Sequence, residues 1–420
     1  LFAHDAGGFG AAGTDNVISC GSFNGASGTT VNLGYEPQFI MYKASSTTGN
    51  WVMMDVMRGM DTEAADYVLR ANLSDAESGP TQIIKPTSTG FNIVSNLTSG
   101  QTYIYIAIRR GPMKTPTTGT SVFSPVQSTS TTSTSSVGFV GDLAIGLWTD
   151  ANDGGGKYFS DRLRGSGQYF SSTSTAAESS GGSWNFNTQQ YGVGGTDTSG
   201  GVYPFFWMFK RAPGFFDEVC YTGTGSARTV THNLTVAPEL IIIKKRNSAT
   251  DSFWCVYSAD LGVGKIGYLQ LNVAFDNAGI NSWNNTTPTS TVFSVGTQTD
   301  LNQSADTYVA YLFATCAGVS KVGSYTGTGT TNQINCGFTG GARFVLIKRI
   351  DDPSTGDWYV WDTARGIVSG NDPYLLMNST AVENTSTDYI DPYSAGFEIS
   401  STAPAAINAN GGSFIFLAIA

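Results

Sequence analysis

The sequence contains few charged residues and no long apolar run. Charged residues occupy only 13% of the 420 positions, and the surfaces of helices need Glu, Lys and Arg in quantity, so the composition argues against a helical protein. The net charge is −10 without a cluster of Lys or Arg, which argues against nucleic acid as a partner. No apolar run reaches the roughly 18 residues of a membrane span, so we expect no membrane insertion.

Cysteine and histidine are too scarce for an obvious metal centre. The five cysteines include no CxxC pair, and two histidines leave little for a zinc site. We therefore expect reduced, mostly buried thiols and no cofactor. The cysteines are Cys20, Cys220, Cys255, Cys316 and Cys336.

One motif recurs along the chain. Residues 49–59 match residues 356–366 in the positions of Gly, Trp, Asp and Arg. A third copy occupies residues 253–262, and a weaker fourth copy occupies residues 157–165. The copies are about 100 residues apart, and an apolar run precedes each of them. The chain is therefore a tandem repeat.

The runs between the turn residues are short and rich in β-branched and aromatic residues, which is typical of strands. We predict an all-β protein of four tandem domains, each a β-sandwich or jelly roll of about 100 residues. Residues 1–16 are expected to be the end of a preceding segment. The predicted repeats are residues 17–114 (unit 1), 115–215 (unit 2, the most divergent), 216–319 (unit 3) and 320–420 (unit 4).

Several stretches resemble a known family. Residues 1–10, 211–217, 220–225, 308–314 and 344–349 are similar to a domain of unknown function that is repeated in tail-fibre-like virion proteins of marine and environmental bacteriophages. The resemblance implies a virion location in a tail fibre or another external appendage. It implies other virion proteins and a host-surface polysaccharide or receptor as partners. It also implies a homo-oligomer, commonly a trimer in fibres of this class, and supplies no catalytic residues.

An Asp and an Arg three residues apart form the most site-like motif. The pairs are Asp55 and Arg58, Asp161 and Arg164, and Asp362 and Arg365. They could form a catalytic or sugar-binding pair. Unit 3 favours a structural ion pair, because Ser258 and Leu261 replace both members together, and removing both charges costs less than leaving one buried charge alone.

Trp51, Trp254 and Trp358 begin the same predicted strand. Their rings could stack on sugars, but the repeated position favours a core or rim aromatic. A single acidic residue per repeat follows, at Glu77, Glu178 and Glu383, while unit 3 has Asn277. A glycosidase needs two facing carboxylates, so we interpret these residues as solvated turn residues or local caps.

The remaining candidates for chemistry are weak. Asp150, Asn152 and Asp153 resemble a calcium loop but lack the spacing of an EF-hand. His4 and His232 do not recur in other units, and no nucleophile elbow is present. We expect no metal site and no enzymatic activity.

The leading hypothesis is a structural virion component that displays loops for attachment to a host glycan or receptor. Tandem copies multiply weak contacts, and the many Ser, Thr, Asn and Tyr residues suit carbohydrate binding. Two alternatives stay open. One is a purely architectural virion protein, such as a capsid decoration or a connector. The other is a polysaccharide depolymerase, which would need paired acidic residues in one cleft.

Overall fold

A computed structural model describes residues 2–5, 7–10, 13–62, 66–127, 137–147, 156–165, 167–180, 205–250, 252–352 and 356–420. Over these residues the chain is built from antiparallel strands, which confirms the predicted all-β, sandwich-like class. The described helices are single turns, too short to cross a membrane. They are the 3-10 turn Gly119–Ser121 and the α-helices α1 Ile280–Trp283, α2 Thr299–Asn302 and α3 Ala405–Asn408.

Unit 1 forms a main sheet and a small sheet. The main sheet has the order β1-β9-β3-β4-β5-β6, and the small sheet has the order β2-β8-β7. The strands are β1 Ile18–Asn24, β2 Thr30–Asn32, β3 Pro37–Ala44, β4 Val52–Asp55, β5 Asp66–Arg70, β6 Ser78–Thr81, β7 Ile84–Thr87, β8 Gly90–Ile93 and β9 Thr102–Arg109.

The described part of unit 2 forms one main sheet, in the order β10-β14-β11-β12-β13. The strands are β10 Phe123–Gln127, β11 Leu143–Leu147, β12 Lys157–Asp161, β13 Phe170–Ser171 and β14 Phe205–Phe209.

Unit 3 has a main sheet in the order β15-β22-β17-β18-β19-β20 and a small sheet of β16 and β21. The strands are β15 Phe216–Thr222, β16 Arg228–Thr231, β17 Leu240–Lys245, β18 Cys255–Ser258, β19 Lys265–Tyr268, β20 Asp276–Asn277, β21 Val292–Val295 and β22 Thr307–Phe313.

Unit 4 has a main sheet in the order β23-β30-β25-β26-β27 and a small sheet in the order β24-β29-β28. In every main sheet the last strand of the unit lies between its first strand and the strand that precedes the repeated motif. The strands are β23 Ser320–Thr326, β24 Asn332–Asn335, β25 Phe344–Arg349, β26 Trp358–Asp362, β27 Leu375–Leu376, β28 Ile390–Tyr393, β29 Gly396–Ile399 and β30 Ser413–Ile419.

The main sheets of units 2, 3 and 4 share one hydrophobic core, which we call the shared core. Leu143, Ile242 and Leu346, from the three units in turn, belong to this cluster. Strand β17 is buried at all six positions because it is covered on both sides. We call the sheet face that carries Leu143, Ile242 and Leu346 the inner face. Burying one such large apolar side chain stabilises the fold by about 1.5–3 kcal/mol.

The outer faces of the main sheets build separate sandwich cores. In unit 3, Ile241 and Ile243 pack with Val230 and Phe293 of the small sheet. Unit 4 repeats this arrangement around Val345 and Ile347. Unit 1 has its own sandwich core, which contains Ile40, Tyr42 and Phe91 and shares no residue with the shared core.

Candidate functional site

The four main sheets can be compared position by position because they pair in the same register. The last residue of the motif strand lies opposite an equivalent apolar residue of the preceding strand in every unit. This register fixes which side chains are equivalent. The opposed pairs are Phe39 with Asp55, Leu143 with Asp161, Leu240 with Ser258, and Phe344 with Asp362.

The motif of unit 4 forms a buried corner of three charged side chains. Asp362 Oδ1 accepts hydrogen bonds from the backbone N–H groups of Ala364 and Arg365, at 2.9 and 3.0 Å. The Arg365 guanidinium donates from Nε to Asp362 Oδ2 at 2.6 Å and from Nη1 to Glu383 Oε1 at 2.9 Å. Its Nη2 reaches the carbonyl oxygen of Val360 at 3.2 Å. The aspartate therefore caps the turn after β26, and the arginine ties this turn to a distant loop.

Unit 1 builds the same corner nearer to solvent. Arg58 Nε lies 2.6 Å from Asp55 Oδ2, and its Nη1 lies 3.2 Å from Glu77 Oε1. The side chains of Asp55 and Arg58 are 23% and 21% exposed, whereas those of Asp362 and Arg365 are 0% and 1% exposed. Water screens the unit 1 pair more strongly.

In unit 2 the corner extends into unit 3. Arg164 is fully buried, contacts Asp161 and lies 2.5 Å from Glu178 Oε1. Glu178 Oε2 also accepts a hydrogen bond from Arg246 Nη2 at 2.7 Å. Burial lowers the pKa of Arg164, but the coulombic effect of Asp161 and its other anionic neighbours more than offsets this, so the pKa lies well above its usual value. The guanidinium is therefore permanently charged.

The interpretation of the glutamates as solvated residues or local caps is wrong for Glu178 and Glu383, whose side chains are 11% and 15% exposed, whereas Glu77 is 39% exposed and solvated as expected. Each binds the arginine of its own motif, at a separation of 14 to 19 residues along the chain. Isolated bridges hold the loops in place in two units, between Tyr169 and Ser179 and between Tyr374 and Asn384. In unit 3 the pairing of Ile266 with Asp276 places Phe275, and not Asn277, at the position of the glutamate, so unit 3 lacks all three charged partners.

A central-strand side chain of one unit contacts the aspartate of another. The Tyr311 hydroxyl donates to Asp161 Oδ2 at 2.8 Å, and Trp207 Nε1 donates to Asp362 Oδ2 at 2.8 Å. The equivalent position of unit 4 is Leu417, which has no donor to offer. The position of unit 3 that is equivalent to these aspartates is Ser258. The corner of unit 3 thus has no charges, and unit 4 has no donor at the position of Tyr311 and Trp207.

The tryptophans at the start of the motif strand also link different units. Trp254 Nε1 donates to the carbonyl oxygens of Ser171 and Ser174 in unit 2, at 3.2 and 3.1 Å. Trp358 Nε1 donates to the carbonyl oxygen of Tyr268 in unit 3 at 3.1 Å. Both rings are at most 1% exposed, so neither presents a free face to a sugar.

In unit 2, Lys157 occupies the position of Trp254 and Trp358 and completes a ring of contacts between units. Lys157 Nζ donates to the carbonyl oxygen of Ser379 in unit 4 at 2.6 Å. Unit 3 therefore contacts unit 2, unit 2 contacts unit 4, and unit 4 contacts unit 3.

In unit 1, Trp51 is partly exposed, and its indole N–H has no acceptor among the described residues. The shared core is a closed ring of three similar units, and unit 1 lies outside it.

Lysines at the end of the preceding strand are buried with this tryptophan. Lys348 Nζ donates to the carbonyl oxygen of Gly356 and lies 5.6 Å from the centre of the Trp358 ring. Burial lowers its pKa to about 7. Burial also lowers the pKa of Lys244, to about 8.

A cleft of about 880 Å³ separates the corner of unit 1 from units 2 and 3. Its volume is within the range of ligand sites. Asp55, Arg58 and Glu77 line one side, and Arg211 and Glu218 line the other. This cleft is the candidate site, because it combines room for a ligand with charged side chains from several units.

A buried arginine holds unit 1 against unit 3 beside the cleft. Arg211 donates from Nη1 and Nη2 to the two carboxylate oxygens of Glu36, at 2.9 and 2.7 Å. Its Nε donates to Asp217 Oδ1 at 2.8 Å. All three side chains are at most 4% exposed. Burial raises the pKa of Asp217, but Arg211 and Arg110 outweigh it, so the pKa lies below its usual value.

Glu218 is the unusual group of the cleft. It is 1% exposed, and neither carboxyl oxygen has a hydrogen-bond partner among the described residues. Arg211 Nη1 approaches only to 4.0 Å. Burial and the charge of Asp161 raise the pKa of Glu218 well above its usual value, which favours the neutral form of this carboxyl.

The sequence does not identify Glu36, Arg211 and Glu218 as a group. Arg211 and Asp217 lie in the stretch 211–217 that carried the family resemblance, and this was the one available signal. Glu36 is 175 residues from Arg211, so no local pattern connects them.

The other sequence candidates are not assembled into a site. Asp150, Asn152 and Asp153 lie outside the described residues. Within the described part of the chain, no three His, Cys, Asp or Glu residues are grouped to hold a metal ion. His232 Nε2 lies 3.1 Å from the carbonyl oxygen of Thr289, and burial lowers the pKa of this histidine. The five cysteines are free thiols, three buried and two partly exposed.

Comparison with known proteins identifies one family. A family model described as a domain of unknown function, DUF7483, matches residues 12–112 and 183–420. The unmatched interval covers most of unit 2, the most divergent repeat. No curated protein matches the chain.

Proposed function

The chain belongs to the DUF7483 family, whose function is unknown, and from this premise we propose that it is a non-enzymatic structural module of a bacteriophage virion. It is part of a tail fibre or another external appendage, where it holds loops for attachment to a host-surface polysaccharide or receptor. Its partners are other virion proteins and the host surface.

The observation that carries this proposal is that the repeated side chains make contacts inside the protein. Asp362 and Arg365 are buried at a corner, and Trp254 and Trp358 hold one unit to another. Residues that could have formed a repeated catalytic or sugar-stacking site serve as internal contacts. What remains for recognition is the set of loops.

The loops have the composition and exposure that attachment needs. Residues 45–50 and 71–77 of unit 1 are exposed, and the Asn72 side chain joins the two loops through Asn50. They are rich in Ser, Thr and Asn, which supply adaptable hydrogen bonds to polar ligands. Several copies of a weak contact raise avidity without a tight single site.

Binding to surface polysaccharide tests the proposal. We expect the 420-residue chain, immobilised on a biosensor, to bind at least one member of a panel of purified bacterial capsular polysaccharides and lipopolysaccharides. Replacing residues 46–48 by glycine should weaken this binding at least about 10-fold and leave the melting temperature unchanged. The same replacement of residues 248–250 in unit 3 is the matched control. Absence of binding across the panel, or equal effects of both replacements on binding and stability, contradicts attachment through the unit 1 loop.

The cleft favours one second candidate, a polysaccharide depolymerase. Glu218 is a buried carboxyl group with a raised pKa, and Asp55 and Glu77 line the same cleft, so three acidic side chains share one cavity. Release of reducing ends from the panel polysaccharides would support it. The activity should then disappear in Glu218→Gln and persist in Glu398→Gln. Without release of reducing ends, the non-enzymatic proposal stands.

A purely architectural role is the third reading. Electron microscopy of virions labelled with an antibody against this chain distinguishes it from attachment. Label on the capsid, rather than at the tip of an appendage, would favour decoration or a connector.

A further inference from the structure

Unit 1 repeats the main sheet of the other units but not its surroundings. In units 2, 3 and 4 the inner face lies in the shared core, and Leu143, Leu240 and Phe344 are at most 3% exposed. The equivalent residue of unit 1, Phe39, is partly exposed. The same sheet face thus has two different environments in one chain.

The inner face of unit 1 is apolar throughout its centre. It carries Phe39, Met41, Met53, Ile104, Ile106 and Ile108, which share this face by their cross-strand pairing. Five of them are partly exposed, and Ile104 is 39% exposed. A contiguous apolar patch of this kind is uncommon on a monomer and marks an interaction surface.

The outer face of the same sheet is an internal control. Ile40, Met54 and Ala107 alternate with the residues of the inner face and are completely buried against the small sheet of unit 1. The unit is therefore folded and packed on one side. Only the side that forms the shared core elsewhere is open.

Unit 1 also carries both halves of the contact that joins the other units. The donor is Trp51, equivalent to Trp254 and Trp358, and its indole N–H meets no acceptor in the described chain. The acceptors in unit 2, the carbonyl groups of Ser171 and Ser174, are equivalent to those of Arg70 and Leu73. In the shared core the donor and the acceptor always belong to different units.

We propose that the inner face of unit 1 packs against the inner faces of unit 1 in two other copies of this chain. Three unit 1 sheets then form a homotrimeric core that is built like the shared core of units 2, 3 and 4. Trp51 of each copy donates to the carbonyl oxygens of Arg70 and Leu73 in the next copy.

The geometry of the shared core points to three copies and not two. Its contacts run head to tail, from the motif strand of one unit to the edge of the next, and the ring closes after three units. Each unit of the shared core donates to one neighbour and accepts from the other, which is a ring arrangement, whereas a twofold axis would exchange both contacts between the same two units. The proposal does not depend on the attachment function, because it rests on the equivalence of sheets within this chain.

Mass measurement tests the proposal directly. We expect the purified 420-residue chain to have a mass near three times the 44.3 kDa of one chain in size-exclusion chromatography with light scattering. Ile106→Lys places a charge in the centre of the face and should yield monomers at concentrations where the unaltered chain is trimeric. Ile280→Lys, at a position of unit 3 that is 66% exposed, is the matched control and should remain trimeric.

Trp51→Phe covers the case in which Ile106→Lys fails to fold. It keeps the ring and removes only the indole N–H, so the trimer should dissociate at higher concentrations than the unaltered trimer does, with an unchanged circular dichroism spectrum. The proposal is overturned if the unaltered chain is a monomer or a dimer, or if a trimer persists in a folded Ile106→Lys variant. It is also overturned if a separate polypeptide occupies the face and the chain stays monomeric.

Discussion

Replacing Arg365 alone should destabilise the chain more than replacing its whole charged corner. Arg365→Leu leaves the carboxylates of Asp362 and Glu383 without the guanidinium that binds both of them. The triple variant Asp362→Ser, Arg365→Leu and Glu383→Asn takes its first two residues from the equivalent positions of unit 3, Ser258 and Leu261, and replaces the second acid by a neutral amide. It removes the arginine and both acids together.

The magnitudes follow from burial and hydrogen bonding. Removing one partner of a buried ion pair costs about 3–5 kcal/mol. Asp362 keeps the two backbone N–H groups and the Trp207 indole as donors, so we expect about 3 kcal/mol for the single variant. The triple variant leaves no uncompensated charge and mainly loses hydrogen bonds of about 1 kcal/mol each, which gives about 1–2 kcal/mol in total.

Urea unfolding followed by tryptophan fluorescence measures both free energies. Arg58→Leu is the control, because its partly exposed ion pair should contribute at most about 1 kcal/mol. A triple variant that is as unstable as Arg365→Leu, or less stable, would refute the view that these charges serve each other. That result would reopen a role for them in binding or catalysis.

Three further predictions concern buried polar groups. Trp254→Phe should lower the free energy of unfolding by about 1–2 kcal/mol, because it removes an indole N–H donor between units. Trp51→Phe in a monomeric preparation should have almost no effect. Equal losses for the two variants in urea unfolding would count against the role of Trp254 between units. Burial raises the pKa of Asp66 from its usual 3.8 to about 7. Between these two pH values the folded state binds more protons than the unfolded state, so stability falls as the pH rises from about 4 to about 7. Asp66→Asn should remove this fall and stabilise the protein at pH 7.5 by about 4 kcal/mol, and parallel pH profiles of the two proteins would exclude it. Burial lowers the pKa of Lys348 to about 7, so the unfolded state binds more protons than the folded state between about pH 7 and pH 10.5, and stability rises with pH over that window. Lys348→Met should flatten this rise, which thermal unfolding at a series of pH values measures.

The sequence was sufficient to predict the strands and their repetition. The apolar run at residues 238–244 predicted a strand, and β17 occupies Leu240–Lys245. The motif strands also lie where the repeats placed them, with the same register from unit to unit. These features are local, because they follow from apolar periodicity and from turn residues.

The partners of the charged corner were not predictable in the same way. Glu77 is 19 residues from Arg58, Glu178 is only 14 from Arg164, and the intervening loops differ in length. No fixed spacing therefore marks the contact. Likewise, the apolar residues of β17 indicate from the sequence that the strand is covered, but they do not indicate that units 2 and 4 cover it.

The ring of units 2, 3 and 4 changes how the protein can vary. In an assembly of three identical chains, every substitution appears at all three interfaces, so a cost of about 1 kcal/mol is incurred three times. Here each interface exists once in the polypeptide, and a substitution alters one of them alone. The aspartates of units 2 and 4, Asp161 and Asp362, accept hydrogen bonds from another unit, whereas unit 3 has the uncharged Ser258 at this position. Three similar interfaces can thus differ from one another within a single chain.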